Sequence, residues 1–79
     1  MDLRLFSTFL RVAELQNFTK AAEQLGYSQA TVTVQIHQLE QALGIQLFER
    51  IGKRVRMTEH GEQFIPYAIE ILKAEQNAK

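Results

Sequence analysis

The sequence predicts one small, mostly α-helical domain that carries a single two-stranded β-hairpin. Four segments place apolar residues at helical intervals, and polar or glycine breaks separate them. The helical period is lost after Gly44, where two short apolar runs flank a turn that contains Gly52. The chain has 79 residues, which is the size of one domain and leaves little room for a deep catalytic cavity.

The composition is that of an ordinary globular protein. The chain is 46% hydrophobic and 23% charged, which separates it from disordered chains and from membrane spans. It has no cysteine, so disulfides, thiolate metal sites and thiol nucleophiles are excluded. No segment has the pattern of a signal peptide, and with the missing cysteines this leads us to expect a cytoplasmic protein.

The first two predicted helices precede a glycine turn. The first covers about residues 3–15, and we expect Asp2 to be its N-cap. The second begins at Phe18 or Thr19 and is only about two turns long, because Gly26 ends it. The sequence therefore predicts a helix, a tight turn and a further helix.

The third predicted helix has two contrasting faces. We expect Ser28 to be its N-cap and Gly44 to end it, so that the helix covers about residues 29–43. Its inward stripe recurs every three or four residues and comprises Val32, Ile36, Leu39 and Leu43. Its outward face carries Ala30, Val34, His37 and Gln41.

A hairpin and a last helix complete the predicted elements. The strands are expected at residues 45–50 and 55–57, with the turn over residues 51–54. Thr58 is the predicted N-cap of the last helix, which we expect to run to the terminus. The apolar surface of this helix is wide enough to favour dimerisation over core packing alone, and its residues are Phe64, Ile65, Ala68, Ile69 and Leu72.

Positive charge is concentrated at the hairpin. Nine basic and nine acidic residues cancel over the chain, which by itself speaks against nucleic-acid binding. A local patch nevertheless survives, because Arg50, Lys53, Arg54 and Arg56 lie in one short stretch that contains no acid. The patch favours contact with phosphates, and the alternative is a solvated edge that keeps the hairpin from pairing with other strands.

These elements together match a winged helix-turn-helix. In that arrangement the second helix of the turn enters a DNA major groove, and the hairpin follows the phosphates or reaches the minor groove. The alternative is a winged-helix module that binds another protein through its apolar surfaces. Catalysis has no support, because the whole hairpin separates His37 from His60 and neither has a carboxylate at ligand spacing. No metal and no cofactor are predicted.

Several motifs spread along the chain carry a resemblance to a known family. They are FTKAAEQL at 18–25, SQ at 28–29, VTVQI at 32–36, LE at 39–40, LG at 43–44, LFER at 47–50, Thr58 and Gly61. In these motifs the chain resembles the N-terminal DNA-binding domain of LysR-type transcriptional regulators. The resemblance implies a cytoplasmic bacterial regulator that binds double-stranded DNA at an inverted repeat. It implies a homodimer, or a tetramer in a longer protein, and no contact with membranes.

The resemblance also implies a division of the chain. Residues 1–58 correspond to the DNA-binding domain, and residues 59–79 correspond to a linker and dimerisation helix. In the family this helix leads to a separate domain that binds a small-molecule effector, so we expect the chain to be truncated before it.

Single residues take roles from the same resemblance. Gln29, Ala30, Thr33, Val34 and His37 fall where the family contacts base edges and nearby phosphates. Arg50, Lys53 and Arg54 fall in the wing, where we expect contact with phosphates. Ser28 is foremost a helix cap, with phosphate contact as a second use.

The third helix departs from the family pattern. Ala30 stands where many members have proline, and Val34 and His37 stand where arginine is frequent. A bidentate arginine contact to guanine is therefore absent from this helix. The methyl groups of Ala30, Thr33 and Val34 suit contacts with thymine methyls, and the side-chain amide of Gln29 suits hydrogen bonds to adenine. We therefore expect a site that favours A·T pairs.

Overall fold

The computed structural model describes residues 2–52 and 54–78. Within these residues it contains four α-helices and one antiparallel pair of strands, in the predicted order. The elements are α1 (Arg4–Leu15), α2 (Phe18–Leu25), α3 (Gln29–Leu43), β1 (Phe48–Ile51), β2 (Arg54–Met57) and α4 (Glu59–Asn77). The predicted fold class, a mostly helical winged helix-turn-helix with a long last helix, is confirmed.

Side-chain oxygens cap the first turns of α2, α3 and α4. Each accepts a hydrogen bond from the backbone N–H three residues further on, which satisfies a donor that would otherwise be free at the helix start. The predicted caps Ser28 and Thr58 are confirmed, and Asn17 is a cap that the sequence did not indicate. The pairs are Asn17 and Lys20 at 2.9 Å, Ser28 and Thr31 at 3.1 Å, and Thr58 and Gly61 at 3.0 Å.

The start of α1 differs slightly from the prediction. Leu3, rather than Asp2, occupies the N-cap position, and its side chain makes no capping hydrogen bond. Asp2 still performs the capping function, because its Oδ1 accepts the backbone N–H of Arg4 at 2.9 Å. The Arg4 guanidinium also donates to this carboxylate, at 2.7 Å from Nη2 to Oδ2, and the hydrogen bond lowers the pKa of Asp2.

A left-handed glycine sets the turn between α2 and α3. Gly26 has a φ of 76°, a conformation that favours glycine because it has no Cβ. The next backbone N–H, that of Tyr27, returns to the carbonyl of Ala22 at 2.9 Å and so satisfies an end of α2. Ser28 is extended, with φ −75° and ψ 158°, and α3 starts directly after it. Backbone conformations and hydrogen bonds within the turn therefore set how α3 follows α2.

The hairpin begins later than predicted. Residues 45–47 do not belong to β1, which starts at Phe48, so the predicted strand is wrong for them. The carboxylate of Glu40 on α3 takes up the backbone donors there, because its Oε2 accepts the N–H of Leu47 at 2.8 Å and that of Phe48 at 3.3 Å. Pairing with β2 continues through Ile51, so the turn is also shorter than predicted.

One hydrophobic core joins the helices to the hairpin. The ring of Phe9 lies 5.6 Å from that of Phe48 and 5.4 Å from that of Phe64, measured between centroids, so α1, β1 and α4 meet at this point. The hydroxyl of Thr8, which is buried, donates to the side-chain carbonyl of Gln35 and ties α1 to α3. No helix in the described part of the chain is both long and apolar enough to span a membrane.

Candidate nucleic-acid interface

One face of α3 is uncharged and open to solvent. Ala30, Val34 and His37 are exposed on it, whereas Val32 and Ile36 on the opposite side are buried. No Asp, Glu, Lys or Arg occurs from residue 29 to residue 39. The outward face therefore presents methyl groups and an imidazole, which suit apolar and neutral polar contacts.

Ser28 is committed to the start of this helix. Its Oγ accepts the backbone N–H of Thr31 at 3.1 Å and donates to the hydroxyl of the same residue at 3.0 Å. A serine hydroxyl has one hydrogen to donate, so a phosphate contact would replace the bond to the Thr31 hydroxyl. Capping is thus the role that the geometry supports.

Gln29 lies apart from the exposed face that carries Val34. The two positions are about 140° apart around the axis of an α-helix. The hydroxyl of Thr19, in the first turn of α2, donates to Oε1 of Gln29 at 3.2 Å. The side-chain amide is therefore held towards α2 and the wing. The sequence did not single out Thr19, although its position directly after the start of α2 places a hydroxyl beside the turn.

Arg50 joins the wing to the helix-turn-helix. It lies on β1, and its Nη2 donates to the hydroxyl of Thr33 on α3 at 3.4 Å. Its guanidinium lies over the ring of Phe18, the first residue of α2, with 4.6 Å between the guanidinium carbon and the ring centroid. The structure thus brings the predicted residues Thr33 and Arg50 together, and Phe18 is a partner that the sequence did not indicate.

A polar cleft of about 350 Å³ lies between the starts of α2 and α3 and the wing. Arg50 and Arg54 of the wing both line it, together with Gln29 from the start of α3. Lys53, predicted to act with them, lies outside the described residues. The lining consists of Gln16, Asn17, Phe18, Thr19, Gln29, Arg50, Gly52, Arg54 and Val55.

The positive patch of the wing is smaller than the sequence suggested. Arg56 pairs with Glu49, its neighbour across the two strands, at 2.9 Å from Nη2 to Oε1. Glu49 precedes the basic stretch in sequence, but the antiparallel register places it opposite Arg56. In the described part of the chain no ion pair reaches Arg50 or Arg54, so the charges of these two guanidinium groups have no acidic partner there.

The exposed surface of α4 differs from the predicted dimerisation set. Ala68 has no accessible surface in the single chain, so its assignment to a dimer contact is wrong. Phe64 is partly buried against the rings of Phe6 and Phe9, and Ile65 and Leu72 are also partly buried. The large apolar side chains exposed on the helix are Tyr67, at 65%, and Ile69, at 38%. The sequence did not indicate Tyr67, although it follows Phe64 by one helical turn and stacks on its ring.

The two histidines lie in separate places. His37 borders a surface depression at the end of α3, and His60 borders another beside Tyr67. Within residues 2–52 and 54–78 no three His, Asp or Glu side chains are grouped as metal ligands would be.

Comparison with known sequences finds one family and a set of regulators. The sequence model of a family described as bacterial regulatory helix-turn-helix protein, lysR family, matches residues 3–62. The chain is 42% identical over 78 residues to the HTH-type transcriptional regulator CitR of Bacillus subtilis (strain 168), a match that covers 99% of this chain and 27% of that protein. The chain therefore spans about a quarter of the length of the curated relatives it matches.

Solved structures share the fold over nearly the whole chain. The crystal structure of the CbnR DBD–DNA complex matches with a TM-score of 0.92 and 35% identity, over 99% of this chain and 90% of that one. The BenM DBD/catB site 1 DNA complex matches with a TM-score of 0.88 and 42% identity, over 99% of this chain and 84% of that one. The proteins found are regulators and not enzymes.

Proposed function

Because this chain belongs to the LysR family of bacterial regulatory helix-turn-helix proteins, we propose that it binds double-stranded DNA as the reading domain of a transcriptional regulator. In this proposal α3 is the recognition helix in the major groove, and the wing lies along the sugar-phosphate backbone or reaches the minor groove. Two related domains, those of CbnR and BenM, have been solved in complex with DNA.

The observation that carries the proposal is the position of the wing arginines beside an exposed, uncharged helix face. The major groove is about 12 Å wide and accepts one helix. With the exposed face of α3 in the groove, Arg50 is held at the helix edge by its hydrogen bond to Thr33, at 3.4 Å. Phosphates line both edges of the groove, which supports the proposal that Arg50 and Arg54 contact them.

The proposed roles follow the two sides of α3. Ala30, Val34 and His37 contact base edges, because they are exposed on the outward face. Gln29 and Thr33 lie towards the wing, where Thr33 helps to place Arg50 and Gln29 reaches a base at the edge of the site. Phosphate contacts come from the wing residues Arg50, Lys53 and Arg54.

We further propose that the domain acts as a dimer. Tyr67 and Ile69 leave two large apolar side chains exposed on α4. Antiparallel pairing of two such helices across a twofold axis would cover them and place two copies of α3 on one side of the dimer. An inverted-repeat operator requires that arrangement.

The longer protein implied by the relatives adds two further proposals. We propose that a separate domain binds a small-molecule effector and that α4 connects it to the DNA-binding domain, over residues 59–79. The regulator would act in the bacterial cytoplasm, where the chromosome is. In this proposal the side chains of the domain bind DNA without a cofactor.

Two measurements test the proposed function. In a salt titration with random duplex, binding through phosphates gives a slope of log K against log salt of about −0.9 for each phosphate contact. A flat response would favour the alternative, a protein-interaction module. Selection of bound fragments from a random duplex pool is expected to return an inverted repeat. A steep salt response without any recovered motif would contradict sequence-specific binding.

A further inference from the structure

Val34 is an apolar residue that α3 leaves about half exposed. It lies in the interior of α3, and 53% of its surface is accessible. Valine loses side-chain freedom in a helix and is a poorer helix former than alanine or glutamine, which occupy other exposed positions of α3. Val34 is not part of the hydrophobic core, and in the proposed function its exposed surface faces the major groove.

The neighbours of Val34 restrict the chemistry of that contact. Ala30, one turn earlier on the same face, has only a methyl side chain, so it does not shield Val34 from the approach of another molecule. The charged residue of α3 nearest to this face in sequence is Glu40, and the backbone N–H groups of Leu47 and Phe48 hold its carboxylate. The contact that Val34 offers is therefore apolar.

The wing removes one more alternative. Thr33 is next to Val34 in sequence and would otherwise offer a hydroxyl to the same part of the groove. That hydroxyl accepts a hydrogen bond from Arg50 at 3.4 Å, so it is directed to the wing. Val34 is left as the exposed side chain on this part of α3 with the largest apolar surface.

Building on the proposed function, we infer that Val34 contacts the C5-methyl group of a pyrimidine in the major groove. Among the groups that base pairs present there, the thymine methyl is the apolar one, and the others are hydrogen-bond donors or acceptors. A 5-methylcytosine carries the same methyl at the same carbon. The ligand is therefore the C5-methyl group itself, on either base, and the preference for A·T pairs is its consequence.

The contribution of this contact to the affinity for DNA can be predicted. Burial of one methyl or methylene group changes an affinity by about fourfold. Removal of the contacted methyl should therefore weaken binding by about fourfold in each half-site, at one or two positions and not along the whole site.

The test starts from a selected duplex and the 79-residue chain. Each thymine is replaced in turn by deoxyuridine, which lacks only the methyl group, and the Kd is measured by fluorescence anisotropy. We expect a loss of about fourfold at the contacted position. Val34→Ala should bind the thymine and uracil duplexes equally at that position, and Val34→Ile, which keeps the apolar contact, should retain the difference. Circular dichroism verifies that both variants are folded.

A second arm separates the methyl from the base that carries it. The contacted T·A pair is replaced by C·G and by 5-methyl-C·G. Methylation should raise the affinity for the C·G duplex by about fourfold with the wild-type chain and leave it unchanged with Val34→Ala. The relative affinities for T·A and 5-methyl-C·G then identify the preferred source of the methyl group. An equal affinity for C·G and 5-methyl-C·G would contradict the inference.

The remaining outcomes distinguish this inference from the function on which it rests. If the chain binds its selected site but no uracil substitution weakens binding, the methyl contact is wrong and the DNA-binding function stands. A uracil effect that persists in Val34→Ala would assign the methyl to another residue and overturn the inference. Failure to bind any duplex would overturn the proposed function and the inference with it.

Discussion

The guanidinium carbon of Arg50 lies 4.6 Å from the centre of the Phe18 ring. Phe18 is buried at the start of α2, and the same guanidinium donates to Thr33 on α3, so one exposed side chain connects the wing with both helices of the helix-turn-helix. The position of the wing beside α3 therefore depends on the planar shape of Arg50 as well as on its charge.

Replacement of Arg50 by lysine should separate shape from charge. Lysine keeps the positive charge but cannot stack a planar fork on Phe18 while it donates to Thr33. We expect Arg50→Lys to lower the free energy of unfolding by about 0.5 to 1 kcal/mol, the value of an exposed cation–π contact. Arg54→Lys is the matched control, because in the described part of the chain Arg54 has no such ring contact. Equal urea midpoints for the two variants would show that the Phe18 contact contributes nothing.

The free charge of Arg54 should be visible in the salt dependence of DNA binding. Arg54→Ala is expected to weaken binding to specific and random duplexes alike and to reduce the slope of log K against log salt by about 0.9. Arg56 lies on the same strand but pairs with Glu49 at 2.9 Å, so Arg56→Ala should change the slope by much less. If Arg54→Ala affected only the selected site, Arg54 would contact a base and the assignment to phosphate would be wrong.

Gln29 should contribute to sequence preference, and Thr19 should support it. We expect Gln29→Ala to cost about 1 to 3 kcal/mol on the preferred site and to relax the choice at one base pair. Thr19→Val removes the hydroxyl that donates to Oε1 of Gln29 at 3.2 Å, so it should cause a smaller loss at the same base pair. A double-mutant cycle measured on variant duplexes tests the coupling. If Gln29→Ala kept the base preference of the wild-type chain at every position of the site, Gln29 would not contact a base.

Local signals were sufficient to predict the order of the elements. Ser28 and Thr58 are caps because their oxygens reach an N–H three residues away, and Gly26 ends α2 in a conformation, with φ 76°, that favours glycine. These interactions join neighbouring residues, so the sequence displays them directly.

Contacts between distant residues were not predictable in this way. Glu40 shortens β1 from a position seven residues before Leu47, and its use as a backbone acceptor leaves no pattern in the sequence. The apolar period of α4 predicted a broad face but not which part packs on α1. Ala68 was therefore assigned to the surface although it is buried, and the exposed Tyr67 was missed. Burial depends on which element a helix packs against, and the periodicity of the helix alone does not reveal that partner.

Gly61 provides a test in which helix propensity and packing predict opposite signs. Alanine in a helix is normally more stable than glycine by about 0.5 to 1 kcal/mol. A Cβ on Gly61 would collide with the backbone carbonyl oxygen of Leu47, which accepts the N–H of Thr58 at 3.0 Å. We expect Gly61→Ala to destabilise the fold by about 1 to 3 kcal/mol in thermal or urea unfolding. Gln63→Ala, at an exposed position of the same helix, should stay within about 0.5 kcal/mol. A stabilised Gly61→Ala would mean that the Leu47 backbone moves aside easily.

Dimerisation through α4 should depend on Ile69 and not on its neighbour Ala68. Ile69 is 38% exposed, so Ile69→Glu adds a charge to the surface without opening the core. We expect a folded monomer that binds the inverted repeat far more weakly, because the interface would lose the burial of the exposed part of Ile69 and a buried, unpaired glutamate opposes association. Ala68→Glu is the contrasting variant: Ala68 has no accessible surface, so this substitution should unfold the monomer. Sedimentation gives the mass and circular dichroism gives the helix content of each variant. If Ile69→Glu remained a dimer, the interface would lie on another part of the domain, and Tyr67→Glu would then test whether α4 takes part at all.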